Sequence, residues 1–393
     1  MSAAANASAQ LGGVVVLVGD GVMVVLDKGA VVEPPPVGAG SAEQAANAPS
    51  PARAKATKAG RRGTARRYRR PVCSLAMSRP VVLDVDTGVD DACALLLAAR
   101  HPVLDLRAVS CVGGNAPLDL VVANTLTVLD AAGRPDVPVA AGSARPLLEE
   151  PADARHVHGA DGLGDLDWPR STRRPDPRHA VELLRDVLRA ADEPVTLVTL
   201  APLTNIALLL RTYPDVAAHL RDIVIMGGAA NVGNATASAE FNVFHDPEAA
   251  AIALDAAADL RLDVTLYVLD VFYEPTVTAA QAADLAARSD PAARLGGLLI
   301  AYQCQRFGGP ATIGDAGAVC VVLDATALHT ERLPLRVELG GSWSRGRTVV
   351  DRRSWAGDMS HDPHGRSSVE VDVGLRVDGP RYASLWLETV GGR

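Results

Sequence analysis

The sequence has few aromatic residues, no closely spaced cysteine pair and no long apolar run. Phe, Trp and Tyr make up 4% of its 393 residues, so Ala, Val and Leu must fill most of the core. The five cysteines are an odd number and include no Cys-x-x-Cys pair, which argues against a disulfide framework or a zinc knuckle. Small buried thiols fit a reducing compartment, and we expect a cytoplasmic protein. Since no apolar run is long enough to cross a bilayer, we expect no membrane partner.

The net charge and the length limit the class of protein and the number of domains. The formal net charge of -8 argues against general nucleic-acid binding by the whole chain. Apolar residues make up 48% of the sequence, which is enough for a sizeable core. A chain of this length holds one large α/β domain or two medium domains.

Residues 1–78 differ in composition from the rest of the chain. An apolar stretch with glycine breaks, residues 11–36, is compatible with a hairpin. It is followed by an Ala/Gly/Pro/Ser-biased linker and the basic cluster RRGTARRYRR, which we interpret as a solvated tail. We therefore expect residues 1–78 to be a low-complexity or poorly ordered extension and residues 79–393 to form one domain. We also hypothesise that the functional polypeptide begins near Met77.

From residue 80 to about 275, short apolar strands alternate with amphipathic helices. This alternation predicts an α/β domain with a mostly parallel central sheet covered by helices on both faces. In such sheets, ligands bind beyond the carboxyl ends of the strands. A helical segment is expected near 279–307, and the two segments that end the chain read as short strands that close the domain.

Four carboxylates stand where the first of these strands gives way to a helix, in VVLDVDTGVDDACALLLAA, residues 81–99. Asp84 and Asp86 share one face of the strand, and Asp90 and Asp91 begin the helix. Capping explains one acidic residue, but two like charges about 4 Å apart repel by roughly 4 kcal/mol at an effective dielectric of 20. An oxygen-only cluster suits Ca²⁺ or Mg²⁺. Caps and surface charge remain the alternative reading.

Three motif readings compete at this turn. An EF-hand loop that begins at Asp84 needs Gly and Glu where Val89 and Leu95 stand, so it fails. A haloacid-dehalogenase-like phosphatase, with Asp84 as nucleophile and Asp86 as acid/base, fits the following residues poorly. The stretch DVDTGVDDACALLLAA instead resembles the N-terminal motif of the nucleoside hydrolases, calcium-dependent N-ribohydrolases.

Further motifs continue this resemblance over roughly residues 80–393. They are VGGN at 112–115, VHGADGLG at 157–164, VTLVTLAPLTNIALLL at 195–210, IVIMGGAANVGNATASAEFNVFHDPEAA at 223–250 and GDAGAV at 314–319. Each matched residue has a structural alternative as a turn, cap or core residue. Their joint order favours the functional interpretation.

The resemblance implies a set of roles. Ca²⁺ would be held by Asp86, Asp91, Asp315 and the Leu200 carbonyl, and Asp86 would take a proton from calcium-bound water. The matching residues that would bind the ribonucleoside substrate are Asp90, Asn115, Met226, Asn234, Glu240 and Asn242. Met226 would pack against the sugar and Asp84 would support the cluster by hydrogen bonds. His158 is assigned a catalytic role. The family also implies a homodimer or homotetramer.

One position departs from the family pattern. Many members have a histidine immediately before the last calcium aspartate, associated with protonation of the departing base, but this chain has Gly314 there. The candidate acids are His158, His245, Tyr302 and Gln303; alternatively the base leaves unprotonated. The departure keeps open a catalytically weak ribose- or nucleoside-binding protein with the same pocket.

Overall fold

The computed structural model describes residues 14–18, 22–26, 78–353 and 368–392. The chain divides into two units, Met1–Val72 and Cys73–Arg393. In the first unit, strands β1 (Val14–Val18) and β2 (Val22–Leu26) pair antiparallel, which confirms the hairpin. The remaining expectations for residues 1–78, including a start near Met77, fall almost entirely outside the described residues.

The second unit alternates strands and helices as the sequence predicts. Its strands, numbered in chain order, are β3 (Arg79–Val85), β4 (Leu104–Cys111), β5 (Val139–Ala141), β6 (Val195–Thr199), β7 (Leu220–Met226), β8 (Val264–Tyr267), β9 (Thr276–Val277), β10 (Ala311–Thr312), β11 (Leu328–Val337), β12 (Thr348–Val350) and β13 (Val369–Val377). Its helices are α1 (Val89–Arg100), α2 (Leu118–Ala131), α3 (Arg155–His158), α4 (Ala180–Arg189), α5 (Thr204–Thr212), α6 (Phe241–His245), α7 (Pro247–Asp259), α8 (Leu269–Phe272), α9 (Ala279–Ala286), α10 (Pro291–Phe307), α11 (Ala316–Leu323) and α12 (Gly379–Val390).

Among the described residues, nine strands form one sheet in the order β12-β11-β13-β8-β7-β6-β3-β4-β5. The seven strands from β13 to β5 pair parallel, whereas β11 runs antiparallel to both β12 and β13. A short separate sheet pairs β9 with β10. The predicted mostly parallel α/β sheet is confirmed.

Both faces of the sheet are covered, and strand β3 shows why. Its side chains alternate, so Val81, Leu83 and Val85 join the core under α1, α2, α10, α11 and α12. Val82 points to the opposite face, into the core under α4, α5 and α7. A strand buried on both sides needs apolar residues at nearly every position, which explains its continuous apolar run.

The end of the chain differs from the expected short strands. Residues 379–390 form helix α12 after strand β13. The Asp378 side chain accepts a hydrogen bond from the Arg381 backbone N–H at the start of α12, and Tyr382, Trp386 and Val390 are buried along one face at helical spacing. The strand prediction was wrong for this segment, because its buried residues recur at helical spacing and do not alternate. The helical prediction near 279–307 is confirmed as two helices, α9 and α10.

The fold brings the carboxyl ends of β3, β4, β6 and β7 to one edge of the sheet, because these strands are parallel neighbours. The turns that follow them hold most of the candidate site residues. In the described part of the chain, no helix combines the length and the apolar character needed to span a membrane.

Candidate active site

The turn from β3 to α1 is built around the carboxylate of Asp91. Its Oδ2 accepts a hydrogen bond from the Gly88 backbone N–H at 2.9 Å, and its Oδ1 accepts one from the Asp86 backbone N–H at 3.2 Å. Asp91 therefore caps its own helix, as a first-turn carboxylate does. Asp84, Asp86 and Asp91 are all fully buried.

Two polar side chains hydrogen-bond to the carboxylate of Asp84. Its Oδ1 accepts hydrogen bonds from Ser110 Oγ at 2.5 Å and from Asn205 Nδ2 at 2.8 Å. Burial nevertheless raises the pKa of Asp84 to about 7.

Asn115, in the loop after β4, joins two of the carboxylates. Its backbone N–H donates to Asp86 Oδ2 at 2.7 Å. Its side-chain Nδ2 donates to Asp86 Oδ1 at 3.2 Å and to Asp91 Oδ2 at 3.1 Å. A Cβ on Gly114 would lie 2.1 Å from Asp86 Oδ2, so only glycine permits this close approach of the loop.

Three carboxylates converge from two distant parts of the chain. One oxygen from each of Asp90, Asp91 and Asp315 lies within 4.8 Å of the other two. Burial, and then repulsion by Asp90 and Asp91, raises the pKa of Asp315 well above its usual range. Burial and then the Asp91 charge do the same to the pKa of Asp86. These oxygens are the donors that a hard divalent cation prefers, and a cation would relieve the repulsion.

This cluster overlaps the metal set expected from sequence. Asp91 and Asp315 belong to both, whereas Asp90, expected to bind the substrate, is the third member of the cluster. Asp86 adjoins the cluster through its shared hydrogen bonds with Asn115 and Asp91. The carboxylates of Asp86, Asp90, Asp91 and Asp315 therefore lie close together.

Leu200, Met226 and Asn242 lie together beside these aspartates. The Leu200 backbone N–H, just beyond β6, donates to the Asp84 carbonyl at 2.8 Å. The Leu200 carbonyl accepts from Asn242 Nδ2 at 2.9 Å, and the same Nδ2 lies 3.2 Å from the Met226 carbonyl at the end of β7. A carbonyl oxygen has a second lone pair, so Leu200 can still ligate a cation.

Glu240 begins helix α6 and orders the loop opposite the aspartates. Its carboxylate accepts hydrogen bonds from the backbone N–H groups of Asn242 at 2.9 Å, Val243 at 3.2 Å and Gly228 at 2.9 Å. Burial raises the pKa of Glu240 to about 7 despite these bonds. Asn234 is exposed, and its Oδ1 accepts from the Phe241 N–H at 2.9 Å.

His158, at the end of α3, lies beside Asp90 at the edge of the site. Its Nδ1 accepts a hydrogen bond from the Val89 N–H at 3.2 Å, so the proton of the neutral ring is assigned to Nε2. The same Nδ1 lies 3.6 Å from Asp90 Oδ1. Burial lowers the pKa of His158, although Asp90 opposes this effect.

Gly314 lies immediately before Asp315 with φ at +57°. A Cβ at this position would lie 2.4 Å from Asp90 Cβ and 3.1 Å from Phe272 Cζ. This backbone conformation and the close approach both favour glycine. A histidine at 314 would require Asp90 or the backbone to move.

The other candidate acids lie elsewhere. The Tyr302 hydroxyl donates to the Val157 carbonyl at 3.1 Å, which joins α10 to α3. Gln303 is buried on α10. His245 ends α6 and lines a cavity beside the site.

Tyr273 was missed by the sequence reasoning. It follows α8, its side chain lies beside that of Asn234, and its ring packs edge-on against Phe272 with centroids 5.1 Å apart. Burial raises its pKa, and the nearby charges of Asp90 and Glu240 add to this effect. Its signal was positional: an aromatic residue shortly after β8, at the carboxyl edge of a parallel sheet.

Comparisons with known proteins agree with this geometry. Residues 81–384 match the family model described as inosine-uridine preferring nucleoside hydrolase. The chain is 38% identical over 286 residues to an inosine-uridine preferring nucleoside hydrolase of Leishmania major, covering 70% of this chain and 89% of that protein. It is 38% identical over 282 residues to a pyrimidine-specific ribonucleoside hydrolase of Photobacterium profundum, covering 70% of this chain and 90% of the relative.

Solved structures give the same result. A plant nucleoside hydrolase superposes with a TM-score of 0.74 at 28% identity, over 80% of this chain and 99% of the other. A purine-preferring ribonucleoside hydrolase from Gardnerella vaginalis superposes with a TM-score of 0.70 at 27% identity, over 80% and 98%. The resemblance stated from the motifs is confirmed, and the chain belongs to the inosine-uridine preferring nucleoside hydrolase family.

Proposed function

We propose that this chain is an enzyme that hydrolyses the N-glycosidic bond of ribonucleosides to give ribose and free base. The observation that carries the proposal is the convergence of Asp90, Asp91 and Asp315. They meet at the sheet edge where Asn115, Glu240 and Asn242 also lie. Family membership supports the same reaction.

The donor chemistry fits calcium. The cluster offers carboxylate oxygens, with Asp86 beside it and the Leu200 carbonyl nearby, and it contains no sulfur or nitrogen ligand. Asp90 Oδ1 and Asp84 Oδ2 are buried without a hydrogen-bond partner among the described residues, as expected if a cation compensates the charge. We assign Asp86, Asp91, Asp315 and the Leu200 carbonyl as the Ca²⁺ ligands. Bound Ca²⁺ would supply a Lewis acid that lowers the pKa of water and fixes ribose hydroxyls.

The side chains around that position divide the remaining work. Asp86 accepts the proton of the attacking water, because Asn115 holds its carboxylate beside the cluster where that water would be bound. Asp90, which has one oxygen without a partner, accepts hydrogen bonds from ribose hydroxyls. Asn115 binds the ribose hydroxyls through its side-chain amide. On the side opposite the aspartates, the ribose hydroxyls are bound by Asn234, Glu240 and Asn242. Met226 packs against the sugar. Rigid positioning of this kind lowers the barrier by holding water and sugar in reacting geometry.

Departure of the base is assisted by His158. The Val89 N–H occupies Nδ1, which leaves Nε2–H as the donor of the neutral ring. Gly314 cannot donate a proton, and the Tyr302 hydroxyl is already bonded to Val157. Of the candidate acids, His158 is the one whose side chain lies beside Asp90, so we assign this role to it.

A base-release assay tests the proposal. The full chain is incubated with inosine, uridine, cytidine and adenosine, with added Ca²⁺ and after treatment with a calcium chelator. We expect free base from at least one nucleoside, loss of release with the chelator and recovery with Ca²⁺. The variant Asp86→Asn, which lacks the proposed proton acceptor, should lose base release. Its matched control is Asp284→Asn, at an exposed acid on α9, which should retain activity.

A catalytically weak ribose- or nucleoside-binding protein is the second candidate, because Gly314 removes a side chain from the leaving-group side of the site. Tight nucleoside binding without release of any base would favour it. The phosphatase alternative is not supported, because the chain belongs to the nucleoside hydrolase family.

We further propose a homodimer or homotetramer located in the cytoplasm, without a nucleic-acid or membrane partner. Analytical ultracentrifugation of the purified chain tests the subunit number. Fractionation of cells that express it tests the compartment.

A further inference from the structure

Thr348 is the first residue of β12, the strand at one edge of the large sheet. It is buried, with an exposed fraction of 3%. Its hydroxyl accepts a hydrogen bond from the Ala229 backbone N–H at 2.8 Å and donates one to the Ala229 carbonyl at 2.7 Å. The two residues are 119 positions apart in the chain, so these bonds join the edge of the sheet to the loop between β7 and α6.

The backbone of Ala229 depends on this hydroxyl. Ala229 is 2% exposed, and among the described residues its N–H and its carbonyl have no other hydrogen-bond partner. Buried backbone groups that lose their partners raise the free energy of the folded state. We therefore expect the loop at Ala229 to shift if the side chain at position 348 has no hydroxyl group.

The residue before Ala229 connects this contact to the proposed ribose side of the site. The Gly228 N–H donates to Glu240 Oε2 at 2.9 Å, and the Gly228 carbonyl accepts from the Leu269 N–H at 2.9 Å. Gly228 has φ at +71°, and a Cβ there would lie 2.7 Å from Thr348 Cγ2. Thr348 therefore packs directly against the residue that donates to the Glu240 carboxylate.

The hairpin between β11 and β12, residues 338–347, contacts the same loop at a second point. Ser238 Oγ donates to the Trp343 carbonyl at 2.7 Å. A Cβ on Gly346 would lie 2.8 Å from Phe244 Cα, so the hairpin also packs closely against α6. The segment that contains Thr348 thus contacts the loop between β7 and α6 near both of its ends.

We propose that Thr348 is a positioning residue for ribonucleoside binding, and that it acts through Gly228 and Ala229 on the carboxylate of Glu240. Thr348 does not contribute to the aspartate cluster, so its effect should fall on sugar binding and not on Ca²⁺ binding. The inference rests on the proposed function, because it is there that Glu240 binds ribose hydroxyls.

Steady-state base release by the full chain tests the proposal through KM and kcat. Thr348→Val keeps the shape of the side chain and removes its hydroxyl. We expect KM to rise about tenfold and kcat to fall by less than about threefold, as for the loss of an interaction made equally with substrate and transition state. Thr348→Ser restores the hydroxyl and should return KM to within about twofold of the unaltered chain. A KM that does not rise in Thr348→Val, or that Thr348→Ser does not restore, would overturn the proposal.

Thr127→Val is the matched control, because Thr127 is also buried and its hydroxyl makes the same two kinds of hydrogen bond. It donates to the Ala123 carbonyl at 2.7 Å and accepts from the Ser171 N–H at 3.1 Å. We expect a lower melting temperature in both valine variants, but a higher KM only in Thr348→Val. An equal rise of KM in the two variants would mean that any lost buried hydroxyl has this effect, and the proposal would be wrong.

Calorimetric titration gives a readout that needs no turnover. Thr348→Val should bind D-ribose about tenfold more weakly in the presence of Ca²⁺, and should bind Ca²⁺ alone within about twofold of the unaltered chain. If this variant does not fold, Thr348→Cys replaces it: a thiol is a weak donor and acceptor, so D-ribose binding should still weaken about threefold. Unchanged D-ribose affinity, or an equal loss of Ca²⁺ affinity, would contradict the positioning role.

The two proposals fail in different ways. If the unaltered chain releases base and the Thr348 variants keep its KM, the positioning role is wrong and the hydrolase stands. If the unaltered chain binds D-ribose but releases no base, the proposed function is wrong, and the D-ribose affinities alone decide the positioning role. A chain that neither releases base nor binds D-ribose would overturn both.

Discussion

Carboxylates at the carboxyl edge of the sheet differ sharply from those on the outer surface. On the surface, Asp136 pairs with Arg134 at 2.9 Å and Asp351 pairs with Arg353 at 2.5 Å. The arginine hydrogen bonds lower the pKa of both acids, to about 2 for Asp351. At the sheet edge, burial raises the pKa of Asp84, Asp91 and Glu240 to about 7.

The difference in pKa reflects the lack of a paired basic side chain at the sheet edge. Among the described residues, no arginine or lysine forms an ion pair with any of the five clustered aspartates. Those aspartates are Asp84, Asp86, Asp90, Asp91 and Asp315. Several buried like charges without a counter-charge are costly, and a bound cation could compensate them. Surface acids, by contrast, have their counter-charge in the chain and contribute little to stability or activity.

Substitution at Asp86 should give the largest effect. Asp86→Ala removes the proposed proton acceptor and a calcium ligand, so we expect kcat to fall by about 10³-fold or more. Asp136→Ala removes a surface acid of the same type and should leave kcat within about twofold. Steady-state base release measures both. Near-normal turnover in Asp86→Ala would remove the functional distinction between the two kinds of carboxylate.

Asp315→Asn should separate metal binding from folding. The amide is a poorer ligand, so Ca²⁺ affinity should fall about 100-fold in a calorimetric titration. Without Ca²⁺ the same variant should melt at a higher temperature than the unaltered chain at pH 8, because one repelled charge is gone. A lower melting temperature in both conditions would indicate that Asp315 is merely structural.

Most of the fold was predictable because it is written in local patterns. The continuous apolar run of β3 and the amphipathic helices after each strand predict a buried parallel sheet. Helix α12 was not predicted, although VDGPRYASLWLETV carries its signals, the Asp378 cap and buried residues at helical spacing. The parallel sheet predicts a site beyond the carboxyl ends of its strands, whereas the choice of Asn115 and Leu200 as site residues came from the family resemblance.

What sequence did not predict depends on distances across the fold. Asp90 joins Asp91 and Asp315 because Gly314 lets the α11 loop approach to a distance that no Cβ tolerates. Tyr273 reaches Asn234 from a helix of four residues that has no motif. The cavity beside His245 arises between three segments, and no local period encodes such a space.

Gly314→Ala tests that close approach with an effect of intermediate size. We expect about a tenfold loss of kcat and a loss of about 1–3 kcal/mol in the free energy of unfolding, because the new methyl group meets Asp90 at positive φ. Gly133→Ala is the matched control, since Gly133 has φ of +73° but nothing within 4 Å of its added Cβ. Equal effects of the two variants on stability and kcat would show that backbone strain alone matters, and that proximity to Asp90 does not.

The sign of the pH dependence of stability distinguishes the two regions. Asp84, Asp91 and Glu240 have pKa values near 7 in the folded chain and near 4 when unfolded, so the folded state binds more protons between these values. Stability of the calcium-free chain must therefore fall as the pH rises from about 4 to about 7. We expect the melting temperature to drop by about 5 °C or more, and added Ca²⁺ to reduce this drop.

The surface pairs work in the opposite direction and in another window. Because arginine lowers the pKa of Asp136 and Asp351, their contribution is complete above about pH 4 and is lost only as the pH falls toward 2. They cannot produce a decline between pH 4 and 7. A melting temperature that stays level or rises across that interval without Ca²⁺ would mean that the buried carboxylates are already compensated within the chain. The need for a cation would then disappear, and with it the contrast between the sheet edge and the surface.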